Sequence, residues 1–568
     1  MVAFSIISAF SMLSSLLLAS LSHASPVPRP FLNSGLSLPS LDSKSWFCRL
    51  VHTTLAENLC LQEGSTALSV NTPLGVAQGT ADVSGVNRFA VKYASAERWS
   101  PSSMVTAWAL PNGSTNVSAL PLMCPQPYVD NSTFTEDCLS MILYVPTTSD
   151  EDSDVPTLMW IHGGSFMVGS ATNPGLDGSA LALATNSIVA VIQYRLGALG
   201  FVAPNNQTNL GLKDAVNALE FLTAVLPSFG GDPRKITVAG QSSGANMIRA
   251  LLAVPSAQSL FQSAILQSDP MDYGFLSSSD QAQLEEYFVS NLGCAATDSA
   301  CLNALTADTI VNGAGLWQFN SSVYVVPAAT QSEPMRVVND GTFITSTLDS
   351  TSPFPRVSKP ILLSNVVDEG GYTIYGSFPD PMPEAEYVAI INGSFGEIRY
   401  ETLVSSQSYA VGTAQDDDYR PQLQVLATDS VWRCATWTFA RNWVSNGGTA
   451  YVGVYTVGAS YPGNAAVSFC TEPGVVCHQD DIEIVFGTAP NPTSAQSALI
   501  TEMQARYKSF LYSGNPNPDE SSYANWQAAG NSDVNAILFG SNGNAPIGAC
   551  TPSFWGQSVA YDYQVFDI

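Results

Sequence analysis

The chain has 568 residues, of which 45% are apolar and 12% are charged. This composition excludes a disordered chain, a coiled coil and a collagen-like protein. Asp and Glu number 47 against 20 for Lys and Arg, which gives a formal net charge of −27. A chain this acidic, with no basic run, repels a phosphate backbone, so we expect no nucleic-acid partner.

Residues 1–24 form a segment of distinct composition. Phe4 to Leu21 carries no charge, and Ser22-His23-Ala24 places small residues at the −3 and −1 positions of a cleavage site. This pattern predicts a secretory signal peptide, followed by a single domain over 25–568. No later stretch reaches the roughly 18 apolar residues that a membrane helix needs. We therefore expect a secreted, extracellular protein without stable membrane insertion.

The cysteines and glycosylation sequons fit the same compartment. Ten cysteines, an even number, suggest disulfides, and none forms the C-x-x-C pattern of a zinc or redox site. Spacing favours four local pairs and leaves one long-range pair: Cys48–Cys60, Cys124–Cys138, Cys294–Cys301, Cys470–Cys477 and Cys434–Cys550. Candidate N-glycosylation sites are Asn112, Asn116, Asn131, Asn206, Asn320 and Asn392.

The middle of the chain alternates strand and helix patterns. Strands are predicted at 157–162, 187–194, 236–239, 264–267, 360–363 and 451–455, and helices at 213–226 and 245–253. A later helix carries Leu499, Met503, Tyr507 and Phe510 on one face and ends at Gly514. Apolar strands alternating with helices predict an α/β fold, with a mostly parallel central sheet covered by helices on both faces.

The sharpest chemical signal is Gly240-Gln241-Ser242-Ser243-Gly244, which lies directly after a predicted strand and before a predicted helix. A G-x-S-x-G match alone is weak, but this strand–turn–helix context is what the nucleophile elbow of α/β-hydrolases requires. The glycines let the backbone pass closely, and the helix N-terminus favours developing negative charge. The alternative is an ordinary glycine-rich turn. We interpret Ser242 as a nucleophile.

A serine nucleophile needs a base and an acid, which follow it in the order Ser, acid, His in α/β-hydrolases. Of the four histidines, only His478 follows Ser242. Asp368 and Glu369 follow a predicted strand, and the pattern alone does not choose between them. Either carboxylate could hold the histidine in one tautomer.

A glycine loop after an early strand can supply an oxyanion hole. His162-Gly163-Gly164-Ser165-Phe166 fits, and we predict the backbone N–H groups of Gly164, Ser165 and Ser243 as donors. Because His162 precedes Ser242 in the chain, we assign it a structural role.

Together these segments resemble the type-B carboxylesterase/lipase family, which includes cholinesterases and secreted fungal lipases, from about Val70 to Trp555. The matching motifs are 136–139 (EDCL), 194–197 (YRLG), 229–233 (FGGDP), 483–487 (EIVFG) and 514–517 (GNPN). The resemblance implies an α/β-hydrolase fold with inserted cap segments, and Glu369 as the acid because Glu precedes Gly in the family's acid motif. It also implies that Ser268 supports that acid and that Cys124 pairs with Cys138.

Two departures from the family pattern bear on function. Gln241 stands where the family usually carries Glu, so an anionic group beside the serine is lost, and Ser243 replaces Ala. The segment between Cys124 and Cys138 is short and contains no Trp, whereas cholinesterases carry their choline-binding Trp in the equivalent loop. We expect neither a choline site nor the long lid of the family's lipases.

The sequence therefore predicts a secreted serine carboxylic ester hydrolase that needs no metal or cofactor and acts on small-molecule or lipid esters. One alternative is a lipase or steryl esterase for long acyl chains; another is an inactive, cholinesterase-like adhesion module. Phe166, Phe275 and Trp317 could line the substrate pocket, although buried aromatics are more often core. The acidic run Asp416–Asp418 is interpreted as a solvated loop.

Overall fold

The protein is described here from a computed structural model that covers residues 68–205, 207–312, 326, 334–412, 414–519 and 522–568. The predicted signal peptide, the Cys48–Cys60 pair, Asn206, Asn320 and Trp317 lie outside these residues.

An 11-stranded sheet is the centre of the fold, and two small two-stranded sheets lie beside it. The strands are β1 (Leu68–Thr72), β2 (Gly75–Ala81), β3 (Val86–Lys92), β4 (Ala94–Ser95), β5 (Ser103–Met104), β6 (Ser140–Pro146), β7 (Val155–Ile161), β8 (Ile188–Ile192), β9 (Gly231–Gln241), β10 (Ser263–Gln267), β11 (Leu276–Ser277), β12 (Val338–Asn339), β13 (Pro360–Val366), β14 (Thr449–Tyr455) and β15 (Ile537–Phe539).

The order of strands in the large sheet is β1-β2-β3-β6-β8-β7-β9-β10-β13-β14-β15. The pairs from β1 to β8 are antiparallel, and all pairs from β8 to β15 are parallel. Because the carboxyl ends of parallel strands meet at one edge, the loops after β7, β9, β10 and β13 come together there. These are the loops that carry the predicted functional residues.

Helices cover both faces of the sheet. They are α1 (Ser179–Thr185), α2 (Gly197–Phe201), α3 (Leu210–Val225), α4 (Ser243–Leu252), α5 (Ser278–Asn291), α6 (Ser299–Ala304), α7 (Ala307–Asn312), α8 (Gly371–Ser377), α9 (Glu384–Ser405), α10 (Arg420–Ala427), α11 (Cys434–Ser445), α12 (Ile482–Phe486), α13 (Ser494–Ser513) and α14 (Asp562–Phe566). A π-helical turn, Thr428–Arg433, joins α10 to α11.

The core has two layers because side chains alternate along the buried strands. On β7, Met159 and Ile161 belong to the layer that includes α3, α4 and α11, whereas Leu158 and Trp160 belong to the layer that includes α1, α12 and α13. The predicted fold class, an α/β fold with a mostly parallel sheet and helices on both faces, is confirmed.

Four of the five expected disulfides fall within the described residues, and all four are formed: Cys124–Cys138, Cys294–Cys301, Cys434–Cys550 and Cys470–Cys477. The four described sequon asparagines, Asn112, Asn116, Asn131 and Asn392, are exposed. In the acidic run, Asp416 and Asp417 are exposed, while Asp418 is half-buried and paired with Arg420.

Candidate active site

The serine turn joins β9 to α4 with the geometry that the sequence predicts. Ser242 has φ 57° and ψ −128°, a conformation that L-residues rarely adopt and that persists only when the surroundings enforce it. Its N–H donates to the Gln267 carbonyl at 2.9 Å. A Cβ on Gly240 or Gly244 would lie 2.7 or 2.2 Å from the Ile161 carbonyl oxygen, so both positions need glycine for β7 to approach.

Glu369 and His478, which are distant in sequence, are in direct contact. His478 Nδ1 lies 2.5 Å from Glu369 Oε2, and the other carboxylate oxygen accepts the Val366 N–H at 3.0 Å. Glu369 is fully buried, and each of its carboxylate oxygens has one of these two contacts. A carboxylate at Nδ1 places the imidazole hydrogen on that nitrogen and leaves Nε2 as a proton acceptor. Glu369 and His478 thus form a buried carboxylate–imidazole pair.

Asp368, the other acidic candidate, has hydrogen-bond partners other than the imidazole. Its Oδ2 accepts the Val476 N–H at 3.0 Å and its Oδ1 accepts the Gln424 amide at 3.3 Å. Asp368 and Cys477 also form an isolated parallel β-bridge through their backbones. Asp368 therefore holds the histidine loop against the end of β13, while Glu369 contacts the ring.

The glycine loop packs against the serine turn. A Cβ on Gly163 would lie 2.7 Å from the Gln241 carbonyl oxygen and 3.0 Å from Ser242 Cβ. Gly164 and Ser165 have φ values of 117° and 55°, and the Gly164 carbonyl accepts the N–H groups of Met167 and Val168. Gly164 and Ser165 therefore lie in this loop beside the serine. Ser243 is the first residue of α4, where backbone N–H groups have no acceptor within the helix.

His162 supports the glycine loop. It is buried, its Nδ1 lies 2.9 Å from the Gly163 carbonyl oxygen, and its ring stacks on Tyr194 with centroids 4.6 Å apart. The Tyr194 hydroxyl donates to the His162 carbonyl at 2.8 Å. Burial lowers the pKa of His162 to about 4, so the ring is neutral near neutral pH. These contacts agree with a structural role.

Three buried acids follow His478 in the chain, and sequence patterns did not reveal their burial. Asp481 accepts the Gln267 amide at 2.6 Å, and burial, followed by the nearby Glu369 charge, raises its pKa to about 7. Burial raises the pKa of Asp480 and of Glu483 to about 7 as well. The available signal was the acidic residues two, three and five positions after His478, but only the fold shows that they are buried.

Trp432 is a second residue that the sequence did not point to. Its ring centroid lies 5.4 Å from that of His478, and the ring is almost fully buried beside Tyr273. Trp432 sits in the π-helical turn, and π-helical turns occur frequently at functional sites. No local pattern in the sequence predicts that turn.

The remaining predicted site residues are all buried, and their contacts differ. Gln241 is buried, and its side-chain nitrogen lies 3.1 Å from His478 Nε2. The Ser268 hydroxyl is buried without a hydrogen-bond partner among the described residues, so it makes no direct hydrogen bond to Glu369. Phe166 and Phe275 are both buried: Phe166 packs edge-on against Phe201, and Phe275 lies under the Arg249 guanidinium.

With this geometry established, comparison with known proteins identifies the family. The carboxylesterase family model matches residues 66–551. The chain belongs to the carboxylesterase family. The resemblance to this family that the sequence motifs indicated is thereby confirmed. Membership of the family supports carboxylic ester hydrolysis as the activity of the protein.

The chain is similar in sequence to proteins from several organisms. It is 27% identical over 442 residues to "Crystal protein" of Dictyostelium discoideum, covering 75% of this chain and 72% of that protein. It is 32% identical over 236 residues to Carboxylesterase 1D of Rattus norvegicus, covering 38% and 41%. It is 40% identical over 158 residues to the para-nitrobenzyl esterase of Bacillus subtilis, covering 26% and 32%.

Among solved structures, a PNB esterase matches with a TM-score of 0.67 and 24% identity, covering 84% of this chain and 96% of that one. This match supports the α/β-hydrolase fold. Over the part of the chain that the structure describes, none of the helices combines the length and apolar character needed to cross a bilayer.

Proposed function

We propose that this carboxylesterase is a secreted serine esterase that works through an acyl-enzyme, with Ser242 as nucleophile, His478 as base and Glu369 as acid. The observation that carries the proposal is the 2.5 Å contact between His478 Nδ1 and Glu369 Oε2, formed beside the serine turn. A base oriented by a buried carboxylate next to a strained serine is the arrangement that activates a hydroxyl.

In the acylation half, Ser242 Oγ attacks the ester carbonyl carbon while its proton passes to His478 Nε2. The Glu369 carboxylate stabilises the imidazolium that forms. The carbonyl oxygen becomes an oxyanion, which the N–H groups of Gly164, Ser165 and Ser243 can stabilise. His478 then gives its proton to the leaving alcohol as the ester C–O bond breaks, and the acyl group stays on Ser242.

In the deacylation half, water takes the place of the alcohol. His478 accepts a proton from the water, whose oxygen attacks the acyl carbonyl, and the same N–H groups hold the second oxyanion. The Ser242 Oγ–acyl bond breaks, Ser242 recovers its proton from His478, and the carboxylic acid leaves.

Secretion rests on the signal-peptide pattern of residues 1–24 and on the four disulfides, which form and persist in oxidising compartments. Expression in a secreting host should release a protein that begins at Ser25. Enzymatic removal of N-glycans should lower its mass if the exposed sequons are used. Retention of the whole chain inside the cell would contradict secretion.

The decisive test is Ser242→Ala. Because the acyl-enzyme cannot form without the hydroxyl, we expect kcat for p-nitrophenyl acetate to fall by about 10⁴-fold or more while folding is retained. A fluorophosphonate probe should label the parent protein at Ser242, shown by peptide mass, and should not label the variant. The matched control is Ser278→Ala on the exposed start of α5, which should keep full activity.

Undiminished ester hydrolysis by Ser242→Ala would contradict the nucleophile assignment. An inactive parent protein that resists the probe would instead favour the adhesion-module alternative. A series of p-nitrophenyl esters of increasing acyl length then separates an esterase from a lipase or steryl esterase, since the latter two prefer long acyl chains.

A further inference from the structure

Gln241 lies beside Nε2 of His478, the ring nitrogen that accepts the Ser242 proton in the proposed reaction. It is the last residue of β9, is fully buried, and lies next to Ser242 in the chain. Its Nε2 is 3.1 Å from His478 Nε2. Its Oε1 points to the glycine loop, since a Cβ on Gly163 would lie 3.0 Å from it, and this oxygen is buried without a hydrogen-bond partner among the described residues. The amide nitrogen therefore faces the imidazole.

The protonation state of the ring follows from its two neighbours. The Glu369 carboxylate at Nδ1 can only accept, so the neutral imidazole carries its hydrogen there and Nε2 offers a lone pair. The Gln241 amide N–H can donate to that lone pair. A donor at Nε2 favours the neutral ring, because protonating Nε2 would set two N–H groups against each other.

We propose that Gln241 is a positioning residue that holds His478 neutral in the resting site, so that this enzyme keeps its base active at lower pH than a carboxylate at the same position would allow. The inference rests on the proposed function and deepens it. When an ester binds, the Ser242 hydroxyl takes the place of the amide at Nε2. Rotation of the amide would then turn Oε1 toward the new imidazolium N–H.

Two buried carboxyls near His478 act in the opposite direction. Glu369 after β13 and, above about pH 7, Asp481 before α12 carry negative charge that stabilises an imidazolium. Asp368 and Asp480 are the next acids along these loops, and both accept backbone N–H groups. Trp432 adds an uncharged ring at 5.4 Å. Among these described neighbours, Gln241 is the neutral donor that disfavours protonation of the ring.

The test compares Gln241→Glu, which places a carboxylate beside Nε2, with Gln241→Met, which removes the hydrogen bond at similar size. The readout is kcat/KM for p-nitrophenyl acetate from about pH 4 to about pH 9, where the acid limb reports the free base. We expect the midpoint of that limb to rise by about one pH unit in Gln241→Glu, and by less in Gln241→Met. At a fixed pH on the acid limb, a shift of one pH unit lowers kcat/KM of Gln241→Glu about tenfold relative to the parent protein.

Two controls isolate the effect. Gln283→Glu adds the same charge on the exposed face of α5 and should leave the midpoint unchanged. Asp481→Asn removes one of the buried carboxyls after His478 whose pKa is about 7, the one whose charge acts on the imidazole, and the shift caused by Gln241→Glu should persist in that background. An unmoved or lowered midpoint in Gln241→Glu overturns the inference, as does a shift that disappears with Asp481→Asn.

A second measurement does not depend on catalysis. The chain has only four histidines, so ring-¹⁵N labelling allows His478 to be titrated by NMR in a Ser242→Ala background. The His478 midpoint should rise when Gln241→Glu is added; no change overturns the inference. If the parent protein hydrolyses no ester, or Ser242→Ala remains active, the proposed function fails while the NMR titration still decides the role of Gln241.

Discussion

Gly163 links the two halves of the site at the scale of a single residue. It has no Cβ, and the place a Cβ would take lies 2.7 Å from the Gln241 carbonyl oxygen and 3.0 Å from Ser242 Cβ. Neither atom can move without moving the serine turn. The spacing between the glycine loop, proposed as the oxyanion hole, and Ser242, proposed as the nucleophile, thus depends on the absence of a Cβ at position 163.

Gly163→Ala should therefore separate the loop from the serine. We expect kcat/KM for p-nitrophenyl acetate to fall by about 10²-fold, the effect of losing one oxyanion donor, with little change in circular dichroism. Ser278→Ala serves as control, because this side chain is exposed at the start of α5. Full activity in Gly163→Ala would show that the loop does not take part in catalysis.

At the scale of elements, the Cys470–Cys477 disulfide ends immediately before His478. Cys477 is buried, its N–H donates to Asp480 Oδ2 at 2.8 Å, and its backbone pairs with Asp368, the residue before Glu369. Cys294–Cys301 closes a loop of the same sequence separation, 7 residues, between α5 and α6. The two disulfides thus share loop length but differ in what they hold.

Replacing both cysteines of either pair by serine should lower stability by a similar amount, about 2–3 kcal/mol on the chain-entropy account. Only the 470–477 replacement should also lower kcat, by about tenfold, because the imidazole loses its anchor. Thermal unfolding and ester kinetics on both double variants test this. Equal kcat in the two variants would mean that hydrogen bonds alone position His478.

Much of this fold was accessible from the sequence because buried parallel strands are continuous apolar runs. The run predicted at 187–194 is β8, 188–192, and the helix predicted at 245–253 is α4, 243–252. The turn motif located Ser242 for the same reason, since strand, turn and helix are adjacent in the chain. Patterns of this kind report local structure.

What the sequence could not supply are contacts between distant segments. Strand and loop patterns do not distinguish residues 368 and 369; the family motif favours Glu369, and the structure separates the two by their partners, Val476 and His478. The Gln241–His478 contact joins residues 237 positions apart, and Trp432 reaches the imidazole through a π-helical turn. Such contacts depend on how β9, β13 and the loop after β14 converge, which no local period encodes.

At the scale of the whole molecule, the net charge of −27 and the buried carboxyls act together on stability. Burial raises the pKa of Asp480, Asp481 and Glu483 to about 7. Other buried carboxyls, including Asp269 and Asp429, also have a raised pKa because of burial. Self-repulsion among surface carboxylates likewise grows as pH rises.

We therefore expect the protein to unfold at lower temperature as pH increases from about 5 to about 8. A carboxyl with a raised folded pKa binds a proton in the folded state that the unfolded chain has already released. Its stabilising contribution is present below the ordinary value near 4 and is lost as pH rises through about 7. Asp232 and Asp418, whose pKa is lowered by hydrogen bonds, lose their contribution only below this window.

Differential scanning calorimetry across that range should show Tm falling by on the order of 5 °C. The double variant Asp481→Asn, Glu483→Gln should give a flatter profile, because two of the buried titrating groups are gone. Asp152→Asn, which removes one exposed carboxylate, should leave the slope nearly unchanged. A Tm that rises with pH across this range would contradict the raised folded pKa of these buried carboxyls.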